Sequence, residues 1–190
     1  MIRTAVLLRV FVLVATLSIA GAAHAQFKLT SPDIKPGGTI ADEQVFNGFG
    51  CSGKNVSPAL KWSGAPKDTK GFALLVHDPD APTGGAGWWH WVVINLPAGT
   101  AELPKGAGKS DGSALPAGAI SIATDFGMPG YGGPCPPAGD KPHRYNFTLY
   151  ALKVDKLDVP KDARSSLVGF MANANAIGKA TLTGKYGRSK

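Results

Sequence analysis

Glycine and proline interrupt this chain every few residues, and that punctuation narrows the folds open to it. Among 190 residues there are 25 Gly and 15 Pro. Proline removes a backbone donor and glycine weakens helices, so long helices and long unbroken strands are both disfavoured. Many short strands joined by long, shaped loops are the natural result. Three apolar stretches survive between the breaks. Residues 72–77 (FALLVH) and 91–96 (WVVINL) are compact runs suited to buried strands. Residues 144–152 alternate, with Tyr145, Phe147, Leu149 and Ala151 on one face and Asn146, Thr148 and Tyr150 on the other. Residues 27–30 and 180–186 are weaker strand candidates. One helix is predicted, over 162–179, with Asp162 after Pro160 as its N-cap. Its apolar stripe is Leu167, Val168, Phe170, Met171, Ala174 and Ile177, read as a core-facing side. The segments 32–66 and 97–142 are left as loops, and loops that long are functional or mobile. The fold class that follows is mostly β: an antiparallel β-sandwich of two sheets with a peripheral C-terminal α-helix.

Residues 1–25 belong to a different kind of segment. Arg3 precedes an apolar run from Ala5 through Ile19, interrupted by Arg9, Thr16 and Ser18, and the run is followed by Ala23-His24-Ala25. A basic start, an apolar middle and a small-residue A-x-A site make a secretory signal peptide. Arg9 leaves the apolar run too short for a bilayer, which needs about 20 apolar residues. The expectation is cleavage after Ala25, a periplasmic or secreted location, and a single domain over 26–190. The formal charge of +7 falls to +5 once Arg3 and Arg9 leave with that segment. The lysines are dispersed rather than blocked, which fits a solvated basic surface and no nucleic-acid site. Two cysteines remain, Cys51 and Cys135. In an oxidising compartment a single disulfide between them is expected, closing a loop worth roughly 4 kcal/mol in the chain-entropy model. Two lone cysteines without a C-x-x-C pair do not make a metal site.

The chemistry-bearing residues gather near strand ends. Phe72, Leu74, Val76 and Asp78 share one face, with Asp78 at the end of the first strand. His90 stands at the start of the next. If the two strands pair antiparallel, Asp78 and His90 come to the same end of the sheet. His143 and Tyr145 face one way at the start of a third strand, whose placement beside the second and parallel to it, bringing all four to one rim, is supported only by a family resemblance. A His held by Asp is oriented, and its charged form is favoured. Two such His and a Tyr hydroxyl would donate to a phosphate or carboxylate, with affinity falling as pH rises through the histidine range. Gly132-Gly133-Pro134 allows close backbone approach, and Trp88, Trp89 and Trp91 supply apolar walls.

The ordered set Asp78-Pro79-Asp80-Ala81-Pro82, Trp88-Trp89-His90-Trp91, Gly130-Tyr-Gly-Gly-Pro134-Cys135-Pro136-Pro137 and His143-Arg144-Tyr145 resembles the phosphatidylethanolamine-binding protein family, in its bacterial Raf-kinase-inhibitor-like branch. Asn55-Val-Ser57-Pro58, Leu60 and Trp62 resemble the loop before its first core strand, so the likeness runs from about Phe46 to Tyr186. The resemblance implies a small anion-binding pocket with no established chemistry. It makes Asp78, His90 and His143 pocket residues, with Asp80, Tyr145, Gly133 and Pro134 around them. One departure stands out. Bacterial relatives commonly carry a His in the C-terminal helix, where this chain reads Met171-Ala-Asn173-Ala-Asn175.

The leading reading is therefore a non-enzymatic binding protein of the cell envelope. Its expected partner is a small anionic or phosphorylated ligand, a phospholipid headgroup among them, with no cofactor and no metal. The alternatives are a hydrolase using the Asp-His cluster as general base, and a protease or kinase inhibitor acting through loop rims. A metal facial triad of two His and one Asp is a further arrangement of the same residues.

Overall fold

The computed structural model describes residues 26–160 and 162–190. The predicted signal segment lies outside those residues. In chain order the elements are β1 (Lys28–Thr30), β2 (Asn47–Gly48), β3 (Cys51–Ser52), β4 (Leu60–Ser63), β5 (Gly71–Asp78), β6 (Trp88–Pro97), β7 (Glu102–Leu103), β8 (Ile120–Ser121), β9 (His143–Leu152), α1 (Ser165–Asn175) and β10 (Ala176–Tyr186). They form a five-stranded sheet in the order β10-β9-β5-β6-β8, a three-stranded sheet in the order β1-β4-β7, and the small hairpin β2-β3. All strand pairs in these sheets are antiparallel. The expected two-sheet, mostly β architecture with one helix is what the chain adopts. No helix among the described residues is long and apolar enough to cross a membrane.

Strand β5 sits at the centre of the larger sheet, between β9 and β6. Both its faces are covered, which is why its sequence is a continuous apolar run rather than an alternating one. One face packs Phe72, Leu74 and Val76 with Trp91, Val93, Phe147 and Leu149 against Leu29, Leu60, Trp62 and Leu103 of the smaller sheet. The other face packs Ala73, Leu75, Val92 and Ile94 against Val168 and Ala172 of α1. The alternation read in β9 holds: Tyr145, Phe147, Leu149 and Ala151 all point into the inter-sheet core.

Three expectations change. The third strand, β9, pairs with β5 and not with β6, from Gly71↔Leu152 to His77↔Asn146. Both β6 and β9 run against β5, so they are parallel to one another with β5 between them. Their starts still share the rim where β5 ends. The helix is shorter than predicted, Ser165–Asn175, with Arg164 at its N-cap and no side-chain capping bond. At Ala176 the backbone turns extended and β10 begins, its ladder to β9 starting at Ala176↔Leu152. Ten cross-strand pairs along the eleven-residue β10 outweigh the helical propensity of residues 176–179. Finally, the apolar stripe of α1 does not all face the core. Val168 and Ala172 are buried, while Leu167, Phe170 and Ile177 are exposed.

Candidate functional site

The rim shared by the end of β5 and the starts of β6 and β9 holds a cavity of about 220 Å³. It is lined by Phe49, Asp78, Ala81, Pro82, Thr83, Trp88, His90, Phe126, Cys135, Pro136, Pro137, His143 and Tyr145. Asp78, His90, His143 and Tyr145 are all buried and form its floor. Phe49, Pro82, Thr83 and Pro137 are exposed and form its rim. The four polar residues singled out by strand geometry therefore converge on one cavity.

A register irregularity decides where His90 points. Val76 pairs with Trp91 and His77 with Trp89, so one step along β5 matches two along β6, and His90 is the extra residue. Strict alternation would have sent His90 to the helix side with Val92 and Ile94. The bulge turns it to the cavity, edge-on to Tyr145 with ring centroids 5.1 Å apart. The turn before β6 is also constrained: a Cβ on Gly87 would lie 2.5 Å from Asp78 O and 2.3 Å from His77 Nε2.

The hydrogen bonds assign partners differently from the sequence argument. Asp78 Oδ2 accepts from His143 Nδ1 at 2.8 Å, and Asp78 Oδ1 accepts from the Asp80 backbone N–H at 2.8 Å. His143 Nε2 lies 3.4 Å from Asp140 Oδ2. Asp78 thus holds His143, not His90. His90 Nδ1 sits 2.6 Å from the Gly132 carbonyl oxygen. A carbonyl cannot donate, so Nδ1 carries the proton. Burial pushes the His90 pKa down to about 4, against the raising effect of that carbonyl and of Asp78. His90 is therefore neutral through the physiological range, and Nε2 is an acceptor. The expectation of a charged His90 is overturned by its desolvation. Tyr145 Oη is buried with no protein partner among the described residues, and burial raises its pKa, so it stays a hydroxyl.

Other predicted site residues fall around the cavity rather than on its lining. Asp80 faces outward and takes a bidentate pair from Arg144, with Nε to Oδ2 at 2.8 Å and Nη2 to Oδ1 at 2.6 Å. That guanidinium pushes the Asp80 pKa down to about 2. Gly133 and Pro134 run behind the wall: Gly133 N donates to Asn55 Oδ1 at 2.8 Å, and Pro134 O accepts from Phe46 N. A Cβ on Gly133 would meet Gln44 O at 2.0 Å, so this glycine permits a close chain crossing. The next residues, Cys135, Pro136 and Pro137, are the ones that reach the cavity. Of the tryptophans only Trp88 lines it; Trp91 is core and Trp89 packs at a tilt against His77, with centroids 4.2 Å apart. Cys51 and Cys135 form the expected disulfide. No group of three His, Cys, Asp or Glu among the described residues is arranged to hold a metal ion. The lining residues that sequence reasoning missed are Thr83, Phe49 and Phe126, the last two being aromatics in segments read as loop, with no periodic signal to mark them.

The profile of the phosphatidylethanolamine-binding proteins matches residues 30–187. The chain belongs to that family. It is similar to the UPF0098 protein YbcL of Escherichia coli, 52% identical over 162 residues, covering 85% of this chain and 88% of YbcL. The crystal structure of YbcL superposes with a TM-score of 0.83, covering 86% of this chain and 99% of that one. The UPF0098 protein YbhB of Escherichia coli is 45% identical over 159 residues, 84% of this chain and 99% of YbhB. A putative lipoprotein, LppC of Mycobacterium tuberculosis, is 39% identical over 154 residues, 78% of this chain and 71% of LppC. Family membership agrees with the resemblance carried by the Asp78–Pro82, Trp88–Trp91 and His143–Tyr145 motifs.

Proposed function

We propose that this chain is a ligand-binding protein of the cell envelope whose cavity takes a small phosphate-like group, free or as a phospholipid headgroup. The observation that carries the reading is the convergence of Asp78, His90, His143 and Tyr145 on the floor of one cavity with an apolar rim. Tyr145 Oη offers a donor and His90 Nε2 an acceptor. A ligand satisfying both presents an acceptor oxygen and a proton of its own. A singly protonated phosphate or a headgroup bearing an ammonium meets that requirement, and sulfate does not. An envelope location is supported by the Cys51–Cys135 bond, by the signal-like residues 1–25 and by the lipoprotein name of one relative.

The hydrolase alternative draws on the 2.8 Å His143–Asp78 pair, which resembles an oriented general base. Beside it the cysteine and threonine of the lining are both engaged: Cys135 is bonded, and the Thr83 hydroxyl donates to Gly87 O at 3.0 Å. The inhibitor alternative has no feature of the cavity to support it.

Calorimetry of inorganic phosphate, phosphoethanolamine and sulfate from pH 5.5 to 8 tests the reading. His90 does not change charge in that window, because its pKa is about 4. Inorganic phosphate keeps one O–H even in its doubly charged form and phosphoethanolamine keeps its ammonium, so both still present a proton to Nε2 and are expected to bind across the whole window. Sulfate should bind weakly at every pH. Absence of binding by the wild type, with turnover of a phosphate or carboxylate ester that requires His143, would favour the hydrolase.

A further inference from the structure

The hairpin β2-β3 presents one side chain. Its tip is Gly48-Phe49-Gly50, and Phe49 has φ 52, a left-handed conformation that bulky residues rarely adopt. Strain of this kind persists where the surroundings over-determine it. Three ties do so here. The Cys51–Cys135 bond joins the hairpin to the cavity wall across a sequence separation of 84. Arg188 clamps the same two segments, donating from Nη1 to Gly50 O at 2.9 Å and from Nε to Pro136 O at 2.7 Å. The Phe49 ring stacks on Phe126, with centroids 6.0 Å apart and planes 13° apart. Despite these ties Phe49 remains 69% exposed, so the arrangement serves the core little. What it does is extend the apolar wall of the cavity beyond its polar floor.

We propose that Phe49 is the specificity-determining residue of this cavity, positioned there by the Cys51–Cys135 bond. The proposal rests on the ligand-binding reading above. The polar groups lie at the floor and the aromatic ones at the rim, so a ligand that fills both carries an apolar body on its polar head. The chemical class is a phosphate monoester of an apolar alcohol, in preference to inorganic phosphate. The same geometry makes the preference redox-dependent. A dithiol reductant delivers two electrons and two protons to the Cys51–Cys135 bond, giving two thiols, and is itself oxidised to a cyclic disulfide. The hairpin tip then keeps Arg188 and ring stacking, with the Phe46 N–Pro134 O bond at its base, but loses its covalent tie to the wall, and Phe49 is freer to leave the rim.

The test compares inorganic phosphate with n-hexyl phosphate by calorimetry at a pH of about 5.5, below the ester's second pKa of about 6, so that the ester still carries a proton for His90 Nε2. Three forms of the chain are used: the oxidised wild type, Phe49→Asn, whose short side chain suits a positive φ, and the double variant Cys51→Ser/Cys135→Ser. The wild type is expected to prefer hexyl phosphate. The ratio of the two affinities should fall about tenfold in Phe49→Asn, the loss expected when roughly two methylenes' worth of contact disappears. A comparable fall is expected in the double variant, with no further fall when all three substitutions are combined. If the double variant does not fold, the Phe49→Asn ratio decides. A ratio that stays within about twofold of the wild type in Phe49→Asn overturns the proposal. A folded double variant that keeps the wild-type ratio overturns the role given to the disulfide. Wild-type protein that binds both probes equally refutes this inference alone; wild-type protein that binds neither refutes the cavity reading and this inference with it.

Discussion

His90 and Tyr145 place opposite demands on the folded protein, and each leaves a measurable trace. Burial holds the folded-state pKa of His90 at about 4, below its ordinary value of 6.5. The unfolded chain therefore binds the extra proton first as pH falls. The stability from neutral His90 is complete above pH 6.5 and is lost as pH drops toward 4, a change on the order of 3 kcal/mol. Denaturant titrations between pH 7.5 and 4 should show this loss in the wild type and a smaller one in His90→Asn, whose amide can still donate to Gly132 O. Equal losses in both would mean that His90 is not the buried group responsible. Tyr145 behaves differently. Its buried hydroxyl meets no protein partner, so Tyr145→Phe removes a desolvated group without breaking a bond. Stability should stay level or rise by about 1 kcal/mol, while phosphate affinity falls by about tenfold. A hydroxyl with a purely structural role would give the reverse pattern. Asp80 and Arg144 form a well-aligned pair, but on an exposed surface, where such pairs contribute about 1 kcal/mol or less.

Among the elements, α1 and the β2-β3 hairpin separate what was legible in the sequence from what was not. The strands β5, β6 and β9 were legible because burial on one or both faces leaves an alternating or continuous apolar pattern. The helix was legible as a helix, but not in its orientation. Leu167 and Phe170 lie on the same helical stripe as Val168 and Met171, and local spacing cannot say which edge of a broad stripe the sheet will cover. Val168→Ala should cost roughly 1–3 kcal/mol by leaving a cavity against Leu75, whereas Phe170→Ala should change stability by about 0.5 kcal/mol or less. Urea melts of the two variants check the assignment; the opposite ranking would place Phe170 in the core. The hairpin was invisible because two-residue strands have no period. Its disulfide partner could be inferred only from compartment and parity of cysteines. Removing that bond with Cys51→Ser/Cys135→Ser should lower stability by about 4 kcal/mol.

For the molecule as a whole, the site is a product of topology. Asp78, His90 and His143 lie on three strands, and they meet because β6 and β9 both start where β5 ends. The meeting of Asp78 and His90 could be argued from antiparallel pairing, whereas bringing in His143 rested on the family resemblance, and β9 was placed on the wrong side of the sheet. The β6 bulge at His90 could not be argued, since neither Gly nor Pro marks it; cross-strand packing imposes it. Export belongs to this scale too. Residues 1–25 predict a mature chain beginning at Gln26, and N-terminal sequencing of envelope fractions should find it; an intact Met1 on cytosolic protein would contradict that. Ligand binding in this cavity is tested by a high-resolution crystal structure of residues 26–190 soaked in phosphoethanolamine at a pH of about 6. The ligand is expected in the cavity beneath Phe49, with hydrogen bonds to Tyr145 Oη and His90 Nε2. A fully occupied ligand elsewhere on the surface, or an unchanged cavity at saturating ligand, would contradict it.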